Sequence, residues 1–157
     1  MNHWDRRFLK LAREVSSWSK DPSTQVGAII VDPHHRVVSL GFNGLPRGVH
    51  DLPDRLEQRE TKLKMVIHAE ENALLFASRS VEGHTLYVWP LPCCARCAAK
   101  VIQAGIARVV SLPSAHPRLQ EDFVLAAQMY SEAGVALELI DESLLADPAE
   151  RTGPAET

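Results

Sequence analysis

Two short segments of the chain carry residues that could bind a metal ion. The first contains His68 and Glu70, and the second contains Cys94 and Cys97 just after Pro92. One imidazole and two thiolates are typical zinc ligands, and they fill three of the four positions that zinc normally takes. The fourth position would be left for a water molecule, whose pKa a zinc ion lowers from about 16 toward roughly 7 to 9. The residues therefore predict one catalytic Zn²⁺ ion and not a closed structural site.

Glu70 is predicted to carry protons at this site. It lies two positions after His68, which is too close for both side chains to reach one metal ion from a regular helix. A carboxylate that can hydrogen-bond an activated water is a suitable proton carrier. Either short motif alone is weak evidence, because amphipathic helices and redox proteins also contain such pairs. It is their combination that predicts the zinc site.

The third cysteine leaves an alternative open. Cys93 lies four positions before Cys97, so these two side chains could also share one face of a helix. Zinc ligands of this kind are usually separated by two to four residues, which both Cys93 and Cys94 satisfy. Spacing alone therefore does not decide which of the two is the first thiolate.

Length and composition indicate one ordinary globular domain. The chain has 157 residues, of which 45% are hydrophobic and 24% are charged. The formal net charge of −3 argues against a partner that is a nucleic acid polymer, and no apolar segment is long enough to span a membrane. Three cysteines without an apolar signal segment favour a reducing cytoplasm over a disulfide framework. A few local cations could still bind a small anionic substrate.

Hydrophobic periodicity predicts helices and strands in alternation. Apolar residues recur with helical spacing between positions 5 and 20, and two strands at 25–32 and 36–42 flank a turn at 33–35. Residues 43–64 are either a functional loop or one that contains short helical turns. Further helices are predicted at 68–78, 94–104 and 120–133, and further strands at 85–89, 107–112 and 135–140.

Five strands covered by helices predict an α/β sandwich. We expect this single domain to occupy residues 1–141. Residues 142–157 lose their periodicity and are predicted to be a loose C-terminal tail.

Four segments in a fixed order resemble one enzyme family. They are residues 19–28, 41–46, 68–73 and 97–106, and together they look like the deoxycytidylate (dCMP) deaminase branch of the zinc-dependent cytidine deaminase superfamily. The resemblance extends from about Trp18 to Val135. Part of it, the H-x-E and P-C-x-x-C pattern, is a general signature of zinc deaminases. In this family the distance to the later Gln-Ala-Gly makes Cys94 and Cys97 the ligands, and Cys93 replaces the usual proline.

The resemblance implies a fold, an activity and an assembly. The fold is a three-layer α/β/α cytidine deaminase-like fold with a five-stranded mixed sheet. The activity is hydrolytic conversion of a cytosine nucleotide, with dCMP to dUMP as the best match, and release of ammonia. Glu70 would protonate N3 of the ring and then the departing amine. The family also suggests a homo-oligomer, with a dimer as its default unit.

The resemblance further implies residues that bind the nucleotide. Asn43 matches the sugar-binding asparagine, although Asn43-Gly44 is equally a strong signal for a tight turn. The main chain near Ala69 could hold the edge of the ring. The segment from Ser19 to Thr24 could line the pocket, or it could simply end the first helix. Two cations are candidates for the phosphate, or are merely solvated surface residues: Lys20 and Arg47.

Two other functions stay open at this stage. The chain could be a zinc deaminase of another amino-base, such as cytidine, cytosine, guanine or a modified nucleotide. It could also be a non-catalytic scaffold that binds zinc only for folding. Glu70 favours an enzyme, because a structural site needs no uncoordinated carboxylate and usually has a fourth protein ligand.

Overall fold

The computed structural model describes residues 2–146 and contains one five-stranded sheet in the order β2-β1-β3-β4-β5. Strand β1 pairs antiparallel with β2 and β3, whereas β3 with β4 and β4 with β5 are parallel pairs. The predicted five-stranded mixed sheet is therefore confirmed. The strands are β1 (Gly27–Val31), β2 (Val37–Phe42), β3 (Thr85–Trp89), β4 (Arg108–Ser111) and β5 (Ala136–Leu139).

Helices cover both faces of the sheet. Because side chains alternate along a strand, Ala28 and Ile30 point into one apolar core, whereas Ile29 and Val31 point into the other. The first core contains residues of α4, α5 and α6, and the second contains residues of α1. This is the predicted three-layer α/β/α arrangement. The helices are α1 (His3–Ser16), α2 (Pro53–Glu57), α3 (Arg59–Met65), α4 (Ala69–Leu75), α5 (Ala95–Gln103) and α6 (Gln120–Ala133), with short 3₁₀ helices at Pro117–Leu119 and Glu142–Leu145. No helix in residues 2–146 is long and apolar enough to cross a membrane.

Helix α1 is bounded by local hydrogen bonds at both ends. Asn2 and Asp5 form a reciprocal capping box, with N···O distances of 2.8 and 2.9 Å, so the helix begins at His3. It ends at Ser16, earlier than the predicted position 20. The next three amides donate to carbonyls three residues back, which closes the helix with a tight turn. Trp18 is consequently 49% exposed and does not belong to the core.

A buried ionic network holds α1 on the sheet. Arg108 of β4 donates to both carboxylate oxygens of Asp5, at 2.8 and 3.1 Å, and the Tyr87 hydroxyl donates to the same group at 2.9 Å. Burial would raise the pKa of Asp5, but these hydrogen bonds outweigh it and lower that pKa. The stabilisation from this depressed pKa is present above the pKa of an unfolded aspartate and is lost as the pH falls through the folded value.

Two segments predicted to be irregular contain short helices. Residues 43–64 contain the short helices α2 and α3. This agrees with the alternative in which the long loop contains short helical turns. The expectation of a loose tail from residue 142 differs from the structure at its start, because Glu142–Leu145 is a 3₁₀ helix whose Leu145 is buried against α1. An apolar contact that depends on tertiary packing leaves no periodicity in so short a segment. The rest of the predicted tail, 147–157, lies outside the described residues.

Gly41 determines how closely α4 packs on β2. A β-carbon at this position would lie 2.3 Å from the Ala69 carbonyl oxygen and 2.4 Å from the Ala73 nitrogen. We expect Gly41→Ala to push α4 away from the sheet and to lower the free energy of unfolding by about 1–3 kcal/mol. Gly44→Ala is the matched control, because nothing lies within 4 Å of a β-carbon there. Urea unfolding of both variants checks this, and equal midpoints would contradict the close packing.

Candidate metal centre and active site

Three side chains at the starts of two helices converge on one point. His68 immediately precedes α4, Cys94 immediately precedes α5, and Cys97 lies in the first turn of α5. The His68 Nδ1 atom is 3.5 Å from the Cys94 sulfur and 3.3 Å from the Cys97 sulfur. One ligand atom from each residue lies within 4.8 Å of the other two. His68, Cys94 and Cys97 are therefore positioned to bind one metal ion, as predicted.

Hydrogen bonds to neighbouring segments position His68. Gly44 and Ile67 exchange two backbone hydrogen bonds, at 2.9 and 3.1 Å, and so attach the residue before His68 to the end of β2. The Glu71 carboxylate accepts a hydrogen bond from the His68 backbone amide at 3.0 Å. The same carboxylate forms an ion pair with Lys100 of α5. The helix that follows His68 is thus linked to the helix that carries the cysteines.

The structure gives a physical reason to prefer Cys94 over Cys93 as the first thiolate. Cys94 is the N-cap of α5, and its sulfur accepts a hydrogen bond from the Cys97 amide at 3.4 Å. Cys93 is buried in the core that lies under α4, α5 and α6, and it does not belong to the group of potential ligands. Burial raises the pKa of the Cys93 thiol. Cys94 is therefore the thiol available to a metal.

The chemistry of the three donors fits a zinc ion. Hydrogen bonds from Cys97 and His68 outweigh burial and lower the pKa of Cys94. The hydrogen bond to Cys94 also raises the pKa of His68. A divalent cation would allow both thiols to ionise beside each other. Within residues 2–146 no fourth carboxylate, imidazole or thiol joins this group, which matches a zinc site with an open position.

Glu70 lies beside these ligands and is itself buried. It is the second residue of α4 and is 3% exposed. Burial raises the pKa of Glu70, against the opposing effects of a backbone hydrogen bond and of His68. A carboxyl group with a raised pKa can both accept and return a proton near neutral pH. Glu70 is not part of the ligand group, so metal binding by these three residues does not use its carboxyl group.

A cavity of about 210 Å³ opens beside two of the three ligands, His68 and Cys94. Its walls are mostly apolar and come from several separate segments of the chain. His68, Ala69, Glu70 and Cys94 lie along it. The other lining residues are Asp21, Thr24, Val26, Asn43, Lys62, Leu63, Val66, Leu91, Pro92, Leu119 and Phe123.

The residues predicted to bind a nucleotide divide into two groups. Ala69, Thr24 and Asn43 line the cavity. Ser19, Lys20 and Arg47 are not among its lining residues. The buried Ser19 hydroxyl donates to the Asn43 carbonyl at 2.8 Å, the exposed Lys20 pairs with Asp51, and the Arg47 guanidinium lies 5.5 Å from the centre of the Phe76 ring.

The Asn43 side chain forms hydrogen bonds with three other residues of the cavity wall. Its Oδ1 atom accepts from the Val26 amide at 2.8 Å, and its Nδ2 atom donates to the Thr24 carbonyl at 2.9 Å and to Asp21 at 3.4 Å. Gly44 then bridges to Ile67, so the Asn43-Gly44 pair does not close a hairpin. A role in sugar binding stays a prediction for Asn43, alongside this structural role.

Several cavity residues were not predicted from the sequence, and Lys62, Leu119 and Phe123 are among them. Lys62 lies on α3, within a segment whose helices are too short to show a clear period. Leu119 and Phe123 are four positions apart and so share one side of the start of α6. That spacing was visible, but nothing in the sequence indicated which site this side faces.

Comparisons with known proteins agree with this geometry. A family described as the cytidine and deoxycytidylate deaminase zinc-binding region matches residues 2–112. An "uncharacterized deaminase in luxG 3′ region" of Aliivibrio fischeri is 47% identical over 143 residues, which cover 86% of this chain and 92% of that protein. The deoxycytidylate deaminase of Mus musculus is 38% identical over 138 residues, or 84% of this chain and 76% of that protein.

A solved structure resembles the fold as well. The dCMP deaminase of the cyanophage S-TIM5, in complex with dCMP and dUMP, superimposes with a TM-score of 0.71 at 28% identity. The match covers 89% of this chain and 99% of that one. With the ligand geometry and the matched region taken together, the chain belongs to the family of cytidine and deoxycytidylate deaminases that share this zinc-binding region.

Proposed function

We propose that this protein is a zinc-dependent hydrolase that converts dCMP to dUMP and ammonia. The observation that carries the proposal is the open group of His68, Cys94 and Cys97, of which His68 and Cys94 line the same cavity as the buried Glu70. Relatives named deoxycytidylate deaminase and the phage enzyme that binds dCMP and dUMP support this choice of substrate.

The residues of the cavity account for the chemistry of the reaction. Zinc, when bound by the three ligands, would lower the pKa of a water molecule near the substrate. Glu70 would take a proton from the attacking water and give it to N3 of cytosine. It would then pass the second proton to the exocyclic amine as the bond between C4 and nitrogen breaks. The water oxygen stays on C4 as the uracil carbonyl, and the nitrogen leaves as ammonia.

The apolar walls would exclude bulk water from this proton transfer. Leu91 and Phe123 line the cavity, and Ala69 presents main chain beside Glu70. The faces of a flat, uncharged base suit such walls better than a charged group does. Glu70 would therefore exchange its proton with the ring and not with solvent.

Lys62 is the best candidate for binding the phosphate. Among the described residues that line the cavity it is the one lysine or arginine, and its side chain is 16% exposed. Its ammonium group lies 3.1 Å from Asp21 Oδ1 and 3.3 Å from Ser23 Oγ. A phosphate monoester carries nearly two negative charges at neutral pH, so it can compete with the single charge of Asp21 for this ammonium. Asp21 would keep its contact with Asn43 when Lys62 turns to the phosphate.

We expect Lys62→Gln to raise the KM for dCMP about 10-fold to 100-fold. Hydrogen bonds to charged groups contribute about 1.5–3 kcal/mol, and 1.4 kcal/mol corresponds to tenfold. Deoxycytidine has no phosphate, so any turnover of it should change little. Lys64→Gln is the matched control, since Lys64 is an exposed lysine on the same helix. Equal KM values for dCMP in the two variants would remove Lys62 from this role.

A substrate panel tests the proposed activity itself. Zinc-loaded protein would be assayed for ammonia with dCMP, deoxycytidine, cytosine, cytidine and guanine. The proposal predicts the highest kcat/KM for dCMP. Preference for guanine or cytosine would instead support the deaminase of another amino-base. Failure with every compound would support the non-catalytic zinc scaffold.

We also propose a cytoplasmic location and a homo-oligomer. The three cysteines are free thiols, which suits a reducing compartment. Leu75 and Phe76 at the end of α4 are 70% and 55% exposed, and a second copy of the chain could cover them. Size-exclusion chromatography with light scattering would test the assembly, and a monomer at micromolar concentration would contradict it.

A further inference from the structure

The first turn of α6 reaches back to the helix that carries both thiols. The Asp122 Oδ2 atom accepts a hydrogen bond from the Ala95 backbone amide at 3.0 Å, across a separation of 27 residues. Ala95 is the first residue of α5, so its N–H has no acceptor within the helix. Asp122 therefore supplies from α6 a partner that α5 cannot provide for itself.

This amide immediately follows a metal ligand. Cys94 is the N-cap of α5, and its sulfur accepts a hydrogen bond from the Cys97 amide. That bond leaves the Ala95 amide to find its acceptor outside α5, and this amide donates to Asp122 instead. The Asp122 carboxylate fixes the peptide group between Cys94 and Ala95, and with it the direction of the Cys94 side chain. A negative charge is also favourable at the start of a helix.

The same turn of α6 forms part of the cavity wall. Phe123 directly follows Asp122, and Leu119 lies just before α6, and both side chains line the cavity next to the metal ligands. One hydrogen bond thus joins the helix that presents the thiols to the segment that borders the cavity. Groups that orient a ligand from outside typically change metal affinity or activity 10- to 100-fold when they are lost.

We infer that Asp122 is a positioning residue that acts through Ala95 to orient Cys94 toward the metal ion. Its role in zinc retention does not require the protein to be a deaminase. Its effect on turnover, through Cys94 and the Phe123 wall, rests on the proposed function. Zinc affinity and turnover are therefore measured separately, so that failure of one is distinguishable from failure of the other.

Three variants test this role in the full-length protein. Asp122→Ala removes the acceptor, Asp122→Asn keeps an oxygen acceptor, and Glu121→Ala removes an exposed neighbouring carboxylate. The zinc dissociation constant is measured by competition with a chelator, and the thiolate environment by the absorption spectrum of the cobalt-substituted protein. We expect Asp122→Ala to weaken zinc binding at least about 10-fold and to shift the cobalt–thiolate bands. The zinc dissociation constant of Asp122→Asn should stay within a few-fold of the wild-type value. Glu121→Ala should bind zinc as tightly as the wild-type protein does.

Removing the donor provides an independent test. Ala95→Pro eliminates the amide hydrogen at the first helical position, where proline is well tolerated, and the extended backbone of Cys94 (φ −68°, ψ 163°) suits a residue before proline. We expect Ala95→Pro to weaken zinc binding as Asp122→Ala does, and the double variant to be no weaker than either. If Asp122→Ala does not fold, Ala95→Pro and Asp122→Asn still decide the question.

The inference is overturned by any of three results. Asp122→Ala could bind zinc as tightly as Glu121→Ala does. Asp122→Asn could lose as much affinity as Asp122→Ala, which would assign the effect to charge and not to the hydrogen bond. Ala95→Pro and Asp122→Ala could also have additive effects, which would mean that the two groups act independently.

Discussion

Replacing Glu70 with glutamine is expected to abolish ammonia release from dCMP while zinc stays bound. Glutamine has nearly the same shape as glutamate, but it cannot take up a proton and return it. Loss of a general acid–base group typically lowers the rate 10²- to 10⁴-fold. Zinc should remain because Glu70 is not one of the three ligands, although it is buried beside them. The measurements are kcat with dCMP and the zinc content of the same sample.

An exposed carboxylate provides the control for this prediction. Glu60→Gln changes a solvated residue in the first turn of α3, and it should leave both kcat and zinc content unchanged. A Glu70→Gln protein with full zinc and near wild-type turnover would remove the proton-transfer role of Glu70. A Glu70→Gln protein without zinc would show instead that Glu70 supports the metal.

Loss of a metal ligand has the other large expected effect. Cys97→Ser replaces a buried thiolate with a weak ligand, and we expect it to lower zinc affinity more than the roughly 10- to 100-fold that outer partners contribute. Deaminase activity should be lost with the metal. Removing zinc from wild-type protein with a chelator should lower its melting temperature, because the metal binds the folded state and stabilises it by mass action. Zinc analysis and thermal unfolding measure these effects.

Cys93 is the matched control for the ligand prediction. It is as buried as Cys97, but it belongs to the apolar core and not to the ligand group. Cys93→Ala should therefore lose some stability through the cavity it creates, yet retain one zinc ion per chain. Zinc loss in Cys93→Ala together with zinc retention in Cys97→Ser would contradict the ligand set.

Local patterns were sufficient to predict the metal site, but they could not position everything around it. His68, Cys94 and Cys97 lie at the starts of two helices, and short spacing motifs describe such positions well. Spacing alone did not decide between Cys93 and Cys94, the family resemblance favoured Cys94, and the structure supplies the physical reason for that choice. The choice depends on the extended backbone at Cys94, which turns one sulfur toward His68 while its neighbour enters the core.

Tertiary contacts explain what the sequence could not show. Lys62 reaches the cavity only because the short helix α3 packs near the loop that contains Asp21. From the sequence alone, Asp122 is one of the acidic residues in the first turn of α6. Only the structure shows that it accepts a hydrogen bond from the Ala95 amide. The sheet and its longer helices were predictable because alternation and helical spacing extend over many residues. Single contacts between distant segments have no such period.

The most direct test of the central claim is to run the reaction in ¹⁸O-labelled water. Zinc-loaded wild-type protein would be incubated with dCMP, and the product would be analysed by mass spectrometry alongside an ammonia assay. Hydrolytic deamination predicts dUMP with one ¹⁸O atom at C4 and one ammonia for each dUMP formed, with neither product from the Glu70→Gln protein. Recovery of unchanged dCMP from protein that contains one zinc ion per chain would contradict the account.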